Sequence, residues 1–439
     1  MKKIVLSSVV ASSMLMAAGY KIPETSTNSV ALSGANIAHS KGADAAYDNP
    51  ANMVFMEDKN HMEANLMYIN TSATNFKGTV SGTGPHDLNA EEQHFLIPSL
   101  HYVSPALGDS EARVGVSVVV PGGLTREWLS GPAKTVSEEF TLQTVEINPT
   151  AAFKLSDKVG VAVGFRMVNT SGVVKSNGVA PVALPTPPFP SNTFSASQIK
   201  RDMTGNALDF GYNLAIAYKP TSELEFGLTY RSEVNLDVEG DAKLSSTDVY
   251  NPFPPNNVVV PAGSYNGGAS VSVPLPASLN AAVAYTFPTK TTVEVMYEKT
   301  YWSAYENLDF NYDSPLTNPV LAGAFDRSIA KNWNDTEAYR IGITQDLDAL
   351  TLMGGCVFDD TAVPEQTFNF ESPDSKSFSF SFGGRYKIDD SFDVGLAGLY
   401  SMKDDRRISN VDKDGNPYIN GEFSNSNVLI ISAGVGYRF

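Results

Sequence analysis

The sequence predicts an all-β fold: a transmembrane antiparallel β-barrel of about fourteen strands with an N-terminal plug in its lumen. Three observations predict it: an apolar C-terminal strand, an alternation that recurs along the chain, and loops that are long and short in turn. From Leu429 to Phe439, every second residue is apolar and the chain ends on an aromatic ring. An unprotected apolar edge strand would promote aggregation of a soluble protein, whereas a closed barrel has no edge. Taken alone, this segment also fits the last strand of a soluble sandwich.

The N-terminus predicts export. Lys2 and Lys3 precede an apolar run from Ile4 to Ala18, and small residues follow. Residues 1–18 are therefore predicted to be a secretory signal peptide. The run is too short and wrongly flanked for a membrane helix, and no second run reaches the roughly 18 apolar residues that a spanning helix needs.

Residues 19–58 precede the first predicted strand and do not alternate. They are mostly small or polar and include Asn49, Pro50 and Ala51 near their end. Two interpretations compete: a flexible periplasmic tail, or a plug (hatch) packed inside the barrel. A barrel of this size leaves a lumen wide enough for water unless something fills it, which favours the plug.

Residues 59–439 are predicted to form the barrel. The segment from Leu208 to Tyr218 shows the pattern, because its apolar residues alternate with Asp, Gly, Asn and Ala. The predicted strands are residues 60–70, 94–103, 111–120, 137–155, 159–173, 207–219, 223–235, 269–287, 291–312, 335–347, 350–359, 376–388, 391–403 and 425–439. Their number is even, as closure of a single-chain bacterial barrel requires.

The connections predict the orientation. The segments after odd-numbered strands are long, such as 174–206 and 236–268, whereas those after even-numbered strands are short, such as 156–158 and 348–349. Bacterial outer membrane barrels have this arrangement, with short periplasmic turns and long extracellular loops. A β-sandwich gives no reason to sort loops by parity. The sequence therefore indicates the outer membrane of a Gram-negative cell.

Composition excludes several classes of function. The chain has 31 Lys and Arg residues against 48 Asp and Glu residues, a net charge of −17, which argues against nucleic acid and anionic headgroups as partners. Cys356 is the only cysteine, so an intramolecular disulfide is impossible, and it is expected to be a packing residue. His94 and His101 fall on opposite faces of one strand, and no hydrolase motif occurs, so neither an enzyme nor a metal or other cofactor is expected.

Short motifs distributed along the chain resemble those of the FadL-type transporters of long-chain fatty acids and hydrocarbons in Gram-negative outer membranes. The likeness covers nearly the whole predicted mature chain. The motifs are Leu32-Ser33-Gly34, Asn49-Pro50-Ala51, Gly211-Tyr212-Asn213, Tyr218-Lys219-Pro220, Gly227-Leu228-Thr229-Tyr230, Leu275-Pro276-Ala277-Ser278, Trp302-Ser303, Tyr339-Arg340-Ile341-Gly342, Phe358-Asp359-Asp360, Val363-Pro364 and Pro373-Asp374. Each is weak alone, and their common order makes the resemblance specific.

The resemblance implies a hatch at Asn49, Pro50 and Ala51, and a lateral opening at a kink in the third strand. In this chain the third strand reaches Val120 and then meets Pro121, Gly122 and Gly123. Proline cannot donate to the ladder and glycine favours bulges, so strand pairing is expected to fail there. The alternative is that Pro121 only ends the strand at its loop.

Two predicted outer loops carry apolar residues that fit the capture of a hydrophobic ligand. These are Val182, Leu184 and Phe189 in the third loop, and Phe253 and Val259 in the fourth. Exposed apolar patches often form binding surfaces, and in the resembling family the corresponding loops form the first binding groove. The alternative is that the loops pack on each other as a lid.

A fatty acid carboxylate needs a cation. The basic residues of the family do not carry over, because Ser171 and Asp309 occupy the expected positions. Arg166 and Lys175 are the nearest candidates, with ordinary luminal ion pairs as the alternative. This departure leaves an ionised fatty acid and an uncharged aromatic or aliphatic hydrocarbon as competing cargoes.

Three other functions are known for outer membrane barrels: a general porin, an adhesin and a lipase-like enzyme. A porin has no plug, an adhesin does not account for the hatch residues, and the enzyme lacks a catalytic motif. The expected partners are therefore a hydrophobic small molecule, outer membrane lipid and the barrel assembly machinery. The protein is expected to be a monomer.

Overall fold

The computed structural model describes residues 19–184, 188–189, 194–412 and 415–439. The predicted signal peptide, residues 1–18, lies outside the described residues, as does part of the third predicted loop. The described chain forms one antiparallel sheet of eighteen strand segments that closes on itself. Four of its strands are in two pieces, so the closed sheet of the described residues is a barrel of fourteen strands, which confirms the predicted fold class.

The barrel strands follow one another around the ring in chain order, apart from their final closure. They are β1 (His61–Thr71), β2 (Gln93–Val103), β3 (Arg113–Val119 and Gly123–Glu127), β4 (Glu139–Ser156), β5 (Val159–Ala183), β6 (Phe194–Tyr218), β7 (Leu224–Arg231 and Val234–Ser246), β8 (Gly263–Leu275 and Ser278–Thr286), β9 (Thr291–Thr300 and Phe310–Tyr312), β10 (Thr336–Leu347), β11 (Leu350–Asp359), β12 (Ser377–Lys387), β13 (Phe392–Lys403) and β14 (Val428–Arg438).

The last strand closes the ring. β14 pairs with β1 over the full length of both strands, from His61 opposite Arg438 to Thr71 opposite Val428. β1 pairs with β2 on its other side, and β14 pairs with β13. Closure removes the exposed edge, so the apolar C-terminal strand occupies its predicted place.

Alternation along each strand separates an apolar outer face from a mixed inner face. On β6, Leu208, Phe210 and Tyr212 are each about half exposed, whereas Asn213 and Ala215 on the other face are buried. The outward apolar residues of the other strands continue this belt around the ring. A belt of this kind meets lipid hydrocarbon.

Two strands are much longer than predicted. β5 continues to Ala183 and β6 begins at Phe194, so most of the predicted loop 174–206 is strand. In this outer part, outward residues such as Lys175 and Asn177 are polar. Beyond the lipid belt the outward face no longer needs apolar side chains, so the pattern that marks a membrane strand fades there.

A separate sheet covers one side of the extracellular opening. Its strands are Asn75–Val80, Thr83–Asn89, Arg406–Val411 and Pro417–Ser424, from the loops after β1 and β13. Beneath it lies a buried aromatic cluster made of Phe76, Trp128, Phe368, Phe370 and Phe423. Asp374 holds the loop after β11 by accepting hydrogen bonds from Thr361 (2.9 Å) and Lys403 (3.1 Å). Burial raises the pKa of the Asp374 carboxyl, and the Lys403 ammonium opposes that shift.

Two minor hairpins complete the sheets: Val249–Tyr250 with Val258–Val260, and Asn307–Leu308 with Ile329–Ala330. The helices are short: α1 (Thr27–Ala31), α2 (Ala45–Asp48), α3 (Ala133–Ser137) and α4 (Pro319–Phe325), with 3₁₀ turns at Pro50–Phe55, Gly108–Ser110, Trp302–Ala304 and Glu365–Thr367. None of the helices in the described part of the chain is long and apolar enough to cross a membrane.

Residues 19–58, here called the N-terminal segment, contact strands on opposite sides of the ring. Thr27 in α1 donates to Asn65 of β1 (2.8 Å) and shares a hydrogen bond with Ser432 of β14 (2.9 Å). Across the ring, the backbone N–H groups of residues 37–39 donate to the Glu294 carboxylate of β9 at 2.7–2.9 Å. Most of the segment is buried.

Candidate functional site

The third barrel strand is interrupted at its proline. Its first piece ends at Val119 and its second begins at Gly123, with Val120 and Pro121 buried between them. The first piece pairs with β2 over only four residues, and the second piece pairs with β4 alone. Residues 93–99 of β2 thus have no ladder partner from β3 among the described residues. The hydrogen-bonded wall is open at this point.

The backbone at the interruption bonds to the N-terminal segment. Gly123 N–H donates to the Tyr20 carbonyl (2.7 Å), and Ile22 N–H donates to the Pro121 carbonyl (2.9 Å). A Cβ on Gly122 would lie 2.8 Å from the Tyr20 carbonyl oxygen, closer than side-chain carbon atoms approach. Glycine therefore allows the strand to turn inward against this segment.

The predicted hatch residues lie near the C-terminal end of the N-terminal segment, at the start of a 3₁₀ turn. Asn49 caps the 3₁₀ turn by accepting from Ala51 N–H (3.1 Å), and its side-chain amide donates to the Ile37 carbonyl (2.8 Å). Pro50 takes the first position of the turn, where no N–H is needed. All three predicted residues are buried, so they fix the fold of the segment from within.

Arg166 and Lys175 are both held by carboxylates of β4. Arg166 donates to Glu146 through Nε (3.1 Å) and Nη2 (3.0 Å), and Arg231 bonds to the other oxygen of Glu146. Lys175 donates to Glu139 (2.7 Å) and is partly exposed. The Arg166–Glu146 pair is a luminal ion pair, as in the alternative interpretation. Lys175 and Glu139 instead pair on the outward face of their strands.

The apolar residues of the two outer loops mostly pack together. Leu184 is buried, and Val182, Phe189 and Val259 pack against the same cluster, which also includes one face of α4. Phe253 differs, because it is 51% exposed. The loops thus form an apolar cap with Phe253 on its outer surface.

An apolar cavity that the sequence analysis did not predict lies beneath this cap, on the inner face of β4 to β9. It is called the outer cavity, and its volume is about 40 Å³. Its principal apolar lining residues are Phe140, Leu142, Val174, Met203, Val273 and Phe310. The sequence could have indicated this cavity, because inward-facing residues in the outer halves of these strands are apolar, whereas the inner face is otherwise mostly polar.

The outer cavity and the interruption of β3 share one cluster of buried apolar side chains. The cluster includes Met203 and Leu142 at the outer cavity and Leu124 and Tyr20 beside the interruption. Contiguous buried apolar side chains therefore extend from the outer cavity to the interruption of β3.

A cavity of about 620 Å³ lies at the end of the barrel with the short turns. Charged residues of the wall and of the N-terminal segment line much of it, including Lys41, Glu63, Lys290, Asp346 and Arg385. A cavity of this polarity suits water and ions better than an aliphatic chain.

Comparison with known proteins gives one consistent result. A model of the family described as "Outer membrane protein transport protein (OMPP1/FadL/TodX)" matches residues 8–439. The long-chain fatty acid transport protein of Salmonella typhi is 26% identical over 412 residues, covering 89% of this chain and 89% of that protein. A Pseudomonas aeruginosa FadL homologue has a TM-score of 0.78 at 18% identity, over 96% of this chain and 99% of that one. The P. putida toluene transporter TodX has a TM-score of 0.68 at 18% identity, over 97% and 99%.

Proposed function

The chain belongs to the OMPP1/FadL/TodX family of outer membrane transport proteins, and from that premise we propose that it takes up long-chain fatty acids. In this proposal the outer loops capture the cargo, the apolar interior conducts it, and the interruption of β3 releases it sideways into the membrane. The N-terminal segment acts as the hatch that blocks the direct path to the periplasm.

The family match establishes the general class of function on which the proposal rests. The protein is an outer membrane transporter of hydrophobic compounds and not an enzyme. The family and the outer membrane location predicted from the sequence are thereby confirmed.

The observation that carries the proposal is the buried apolar cluster that joins the outer cavity to the interruption of β3. A fatty chain gains roughly 0.8 kcal/mol for each methylene that leaves water. A path that stays apolar and ends in the bilayer keeps this gain at every stage. An aqueous pore into the periplasm would lose it.

A second candidate cargo is an uncharged aromatic or aliphatic hydrocarbon. Ser171 and Asp309 stand where the resemblance to the family leads us to expect basic residues. The absence of cations at these two positions favours a neutral cargo. The likeness in fold to a protein called a toluene transporter is compatible with this candidate.

The test is uptake by a host strain that lacks its own long-chain fatty acid transport protein. Expression of this chain should restore uptake of radiolabelled oleate, and a matched strain with an empty vector gives the background. Uptake of toluene without uptake of oleate would replace the fatty acid by the hydrocarbon. Failure with both cargoes would contradict the proposed function.

Oligomeric state and membrane insertion are part of the proposed function. We infer a monomer that the barrel assembly machinery inserts, with the N-terminal segment closing the lumen. Purified protein in planar bilayers should then show no large steady conductance. Such a conductance would indicate a general porin.

A further inference from the structure

A small polar cavity lies where the start of the N-terminal segment meets the inner face of the wall, near the outer ends of β11, β12 and β13. It is called the junction cavity, and its volume is about 20 Å³. Asp359 and Ser377 are direct cross-strand partners, so their side chains are neighbours on the inner face. The polar lining residues are Glu24 of the N-terminal segment and, on the wall, Arg340, Asp359, Ser377, Ser379 and Ser401.

Three side-chain oxygen atoms of the residues that line the junction cavity are buried without a hydrogen-bond partner in the protein. They are Oε2 of Glu24, Oδ1 of Asp359 and Oγ of Ser377. Glu24 is 3% exposed and Ser377 is 7% exposed, so bulk water does not satisfy them. A buried carboxylate oxygen without a donor or a cation is costly. The placement of the three oxygens around one space therefore points to a bound species that is positively charged or donates hydrogen bonds.

The ionised groups around the junction cavity leave one negative charge uncompensated. Lys21 pairs with Oε1 of Glu298, and Arg340 pairs with Oε2 of the same carboxylate at 3.0 Å. Arg340 also lies 3.4 Å from Oε1 of Glu24. Among the described residues, no ion pair involves Asp359. Two cations, Lys21 and Arg340, thus face three carboxylates, those of Glu24, Glu298 and Asp359.

We propose that the junction cavity binds one monovalent metal cation, of the size of Na⁺, through Glu24, Asp359 and Ser377. A volume of about 20 Å³ admits roughly one water-sized particle. A water molecule would satisfy the three oxygens but would leave the negative charge uncompensated, whereas a monovalent cation satisfies both requirements. The adjacent pair of Lys403 and Asp374, 3.1 Å apart, is balanced within itself.

A divalent cation fits this cavity less well. Ca²⁺ takes six to eight oxygen ligands and Mg²⁺ retains several of its waters, for which the space is too small. In the part of the chain that the structure describes, no cluster of three or more His, Cys, Asp or Glu side chains is placed to hold a metal ion. Two carboxylates and a hydroxyl supply hard oxygen ligands for an ion of single charge.

A cation at this place would link the N-terminal segment to the wall just before α1. Glu24 lies two residues before Ser26, the residue that caps α1. On the other side of α1, the Ser33 carbonyl accepts from Arg340 at 2.7 Å. The bound ion would therefore hold α1 against β11 and β12. The inference goes beyond the proposed function, because the site is the same whether the cargo is a fatty acid or a hydrocarbon.

The experiment measures binding of radiolabelled Na⁺ to the purified full-length protein by scintillation proximity. Tetramethylammonium chloride, whose cation is too large for the cavity, keeps the ionic strength constant, and the pH is mildly alkaline so that carboxylates are ionised. The variants are Asp359→Asn and Ser377→Ala. Asp360→Asn is the matched control, because Asp360 is the next residue and pairs with Lys376 at 3.1 Å on the surface. Heat-modifiable gel mobility shows that each variant is folded.

The unaltered protein and Asp360→Asn should each bind Na⁺ saturably, with one ion for each chain. Asp359→Asn should abolish binding, because it removes both a ligand and the uncompensated charge. Ser377→Ala should raise the Kd for Na⁺ roughly tenfold, the loss of one contact to a charged group.

Hydrogen exchange gives a second measurement on the same samples. At a Na⁺ concentration about ten times the Kd, exchange of the backbone N–H groups of residues 22–34 should slow roughly tenfold in the unaltered protein. Na⁺ should not change their exchange in Asp359→Asn.

Absence of saturable Na⁺ binding by the unaltered protein would overturn the inference, and a water molecule or a proton would then satisfy the carboxylates. Equal binding by the unaltered protein and Asp359→Asn would also overturn it, because the ion would lie elsewhere. If Asp359→Asn does not fold, an unchanged Kd in Ser377→Ala would overturn the inference instead. Failure of oleate and toluene uptake would contradict the proposed function without changing Na⁺ binding, so the two failures are distinguishable.

Discussion

Glu146 illustrates how single residues stabilise the lumen. This fully buried carboxylate accepts hydrogen bonds from Arg166 through one oxygen and from Arg231 through the other. Arg231 also stacks on Tyr47 of α2, 3.9 Å from the ring centre. One acidic group therefore compensates two buried cations and helps to join the wall to the N-terminal segment.

Glu146→Gln should destabilise the barrel by about 3–5 kcal/mol, because it leaves buried guanidinium charge uncompensated. The measurement is the free energy of unfolding from urea titration of the protein in vesicles. Glu139→Gln is the control on the same strand. Its partner Lys175 is partly exposed, so the expected loss is below about 1 kcal/mol. Equal losses in the two variants would contradict the assigned role of Glu146.

The sequence identified candidate cations but not their partners. Arg166 and Lys175 were found because they lie near the expected position on the fifth strand. Whether a cation is paired depends on cross-strand register and on side chains far apart in the chain, such as Arg231 with Glu146.

At the scale of the strand, the break in β3 combines a proline with a close backbone contact. Replacing Pro121 and Gly122 together by valine should restore strand propensity and remove the space that the Tyr20 carbonyl occupies. Uptake of oleate should fall to the background of the host, while heat-modifiable mobility shows an assembled barrel. Pro98→Val is the matched control, since Pro98 lies within the neighbouring strand β2.

Unaltered uptake by the Pro121→Val, Gly122→Val protein would contradict release at this point. If Pro98→Val abolished uptake equally, the loss would reflect general damage to the wall.

The membrane-spanning parts of the strands were predictable and their outer extensions were not. β11 occupies its predicted range, residues 350–359, because lipid on one face and lumen on the other impose strict alternation. The outer ends of β5 and β6 face water, so apolar and polar residues no longer alternate there. The four-stranded extracellular sheet was missed because its two hairpins come from loops more than 300 residues apart, and Asn75 pairs with Ser424.

At the scale of the molecule, the N-terminal segment is bonded to the ring on several sides. Thr27 meets Ser432 with 2.9 Å between their hydroxyl oxygens. A disulfide between Thr27→Cys and Ser432→Cys, made in a Cys356→Ser background, would fix α1 to β14. If the segment must shift during transport, oxidation should abolish oleate uptake and dithiothreitol should restore it.

The two single-cysteine variants, treated with the same oxidant, are the controls and should transport normally. Full uptake by the oxidised double variant would show that α1 stays in place during transport.

The sequence predicted the ring, its strand number and its closure, since these follow from patterns repeated in every strand. It favoured a plug over a flexible tail for the N-terminal segment, but it could not place that segment against particular strands. That segment has no periodic pattern, and its position depends on side chains such as Glu294 that hold its backbone. Its location therefore emerged only from the assembled fold.

The unequal strand lengths give the barrel a rim of unequal height. A strand of 25 residues, as in β5, is roughly 80 Å long and rises roughly 60 Å when tilted. The hydrocarbon layer around such barrels is about 25 Å high. The side of the rim formed by β5 and β6 therefore stands well clear of the headgroups. If cargo enters beneath the high rim and leaves at the break in β3, as proposed, it passes from water to hydrocarbon, and its partition coefficient sets the direction of net flow.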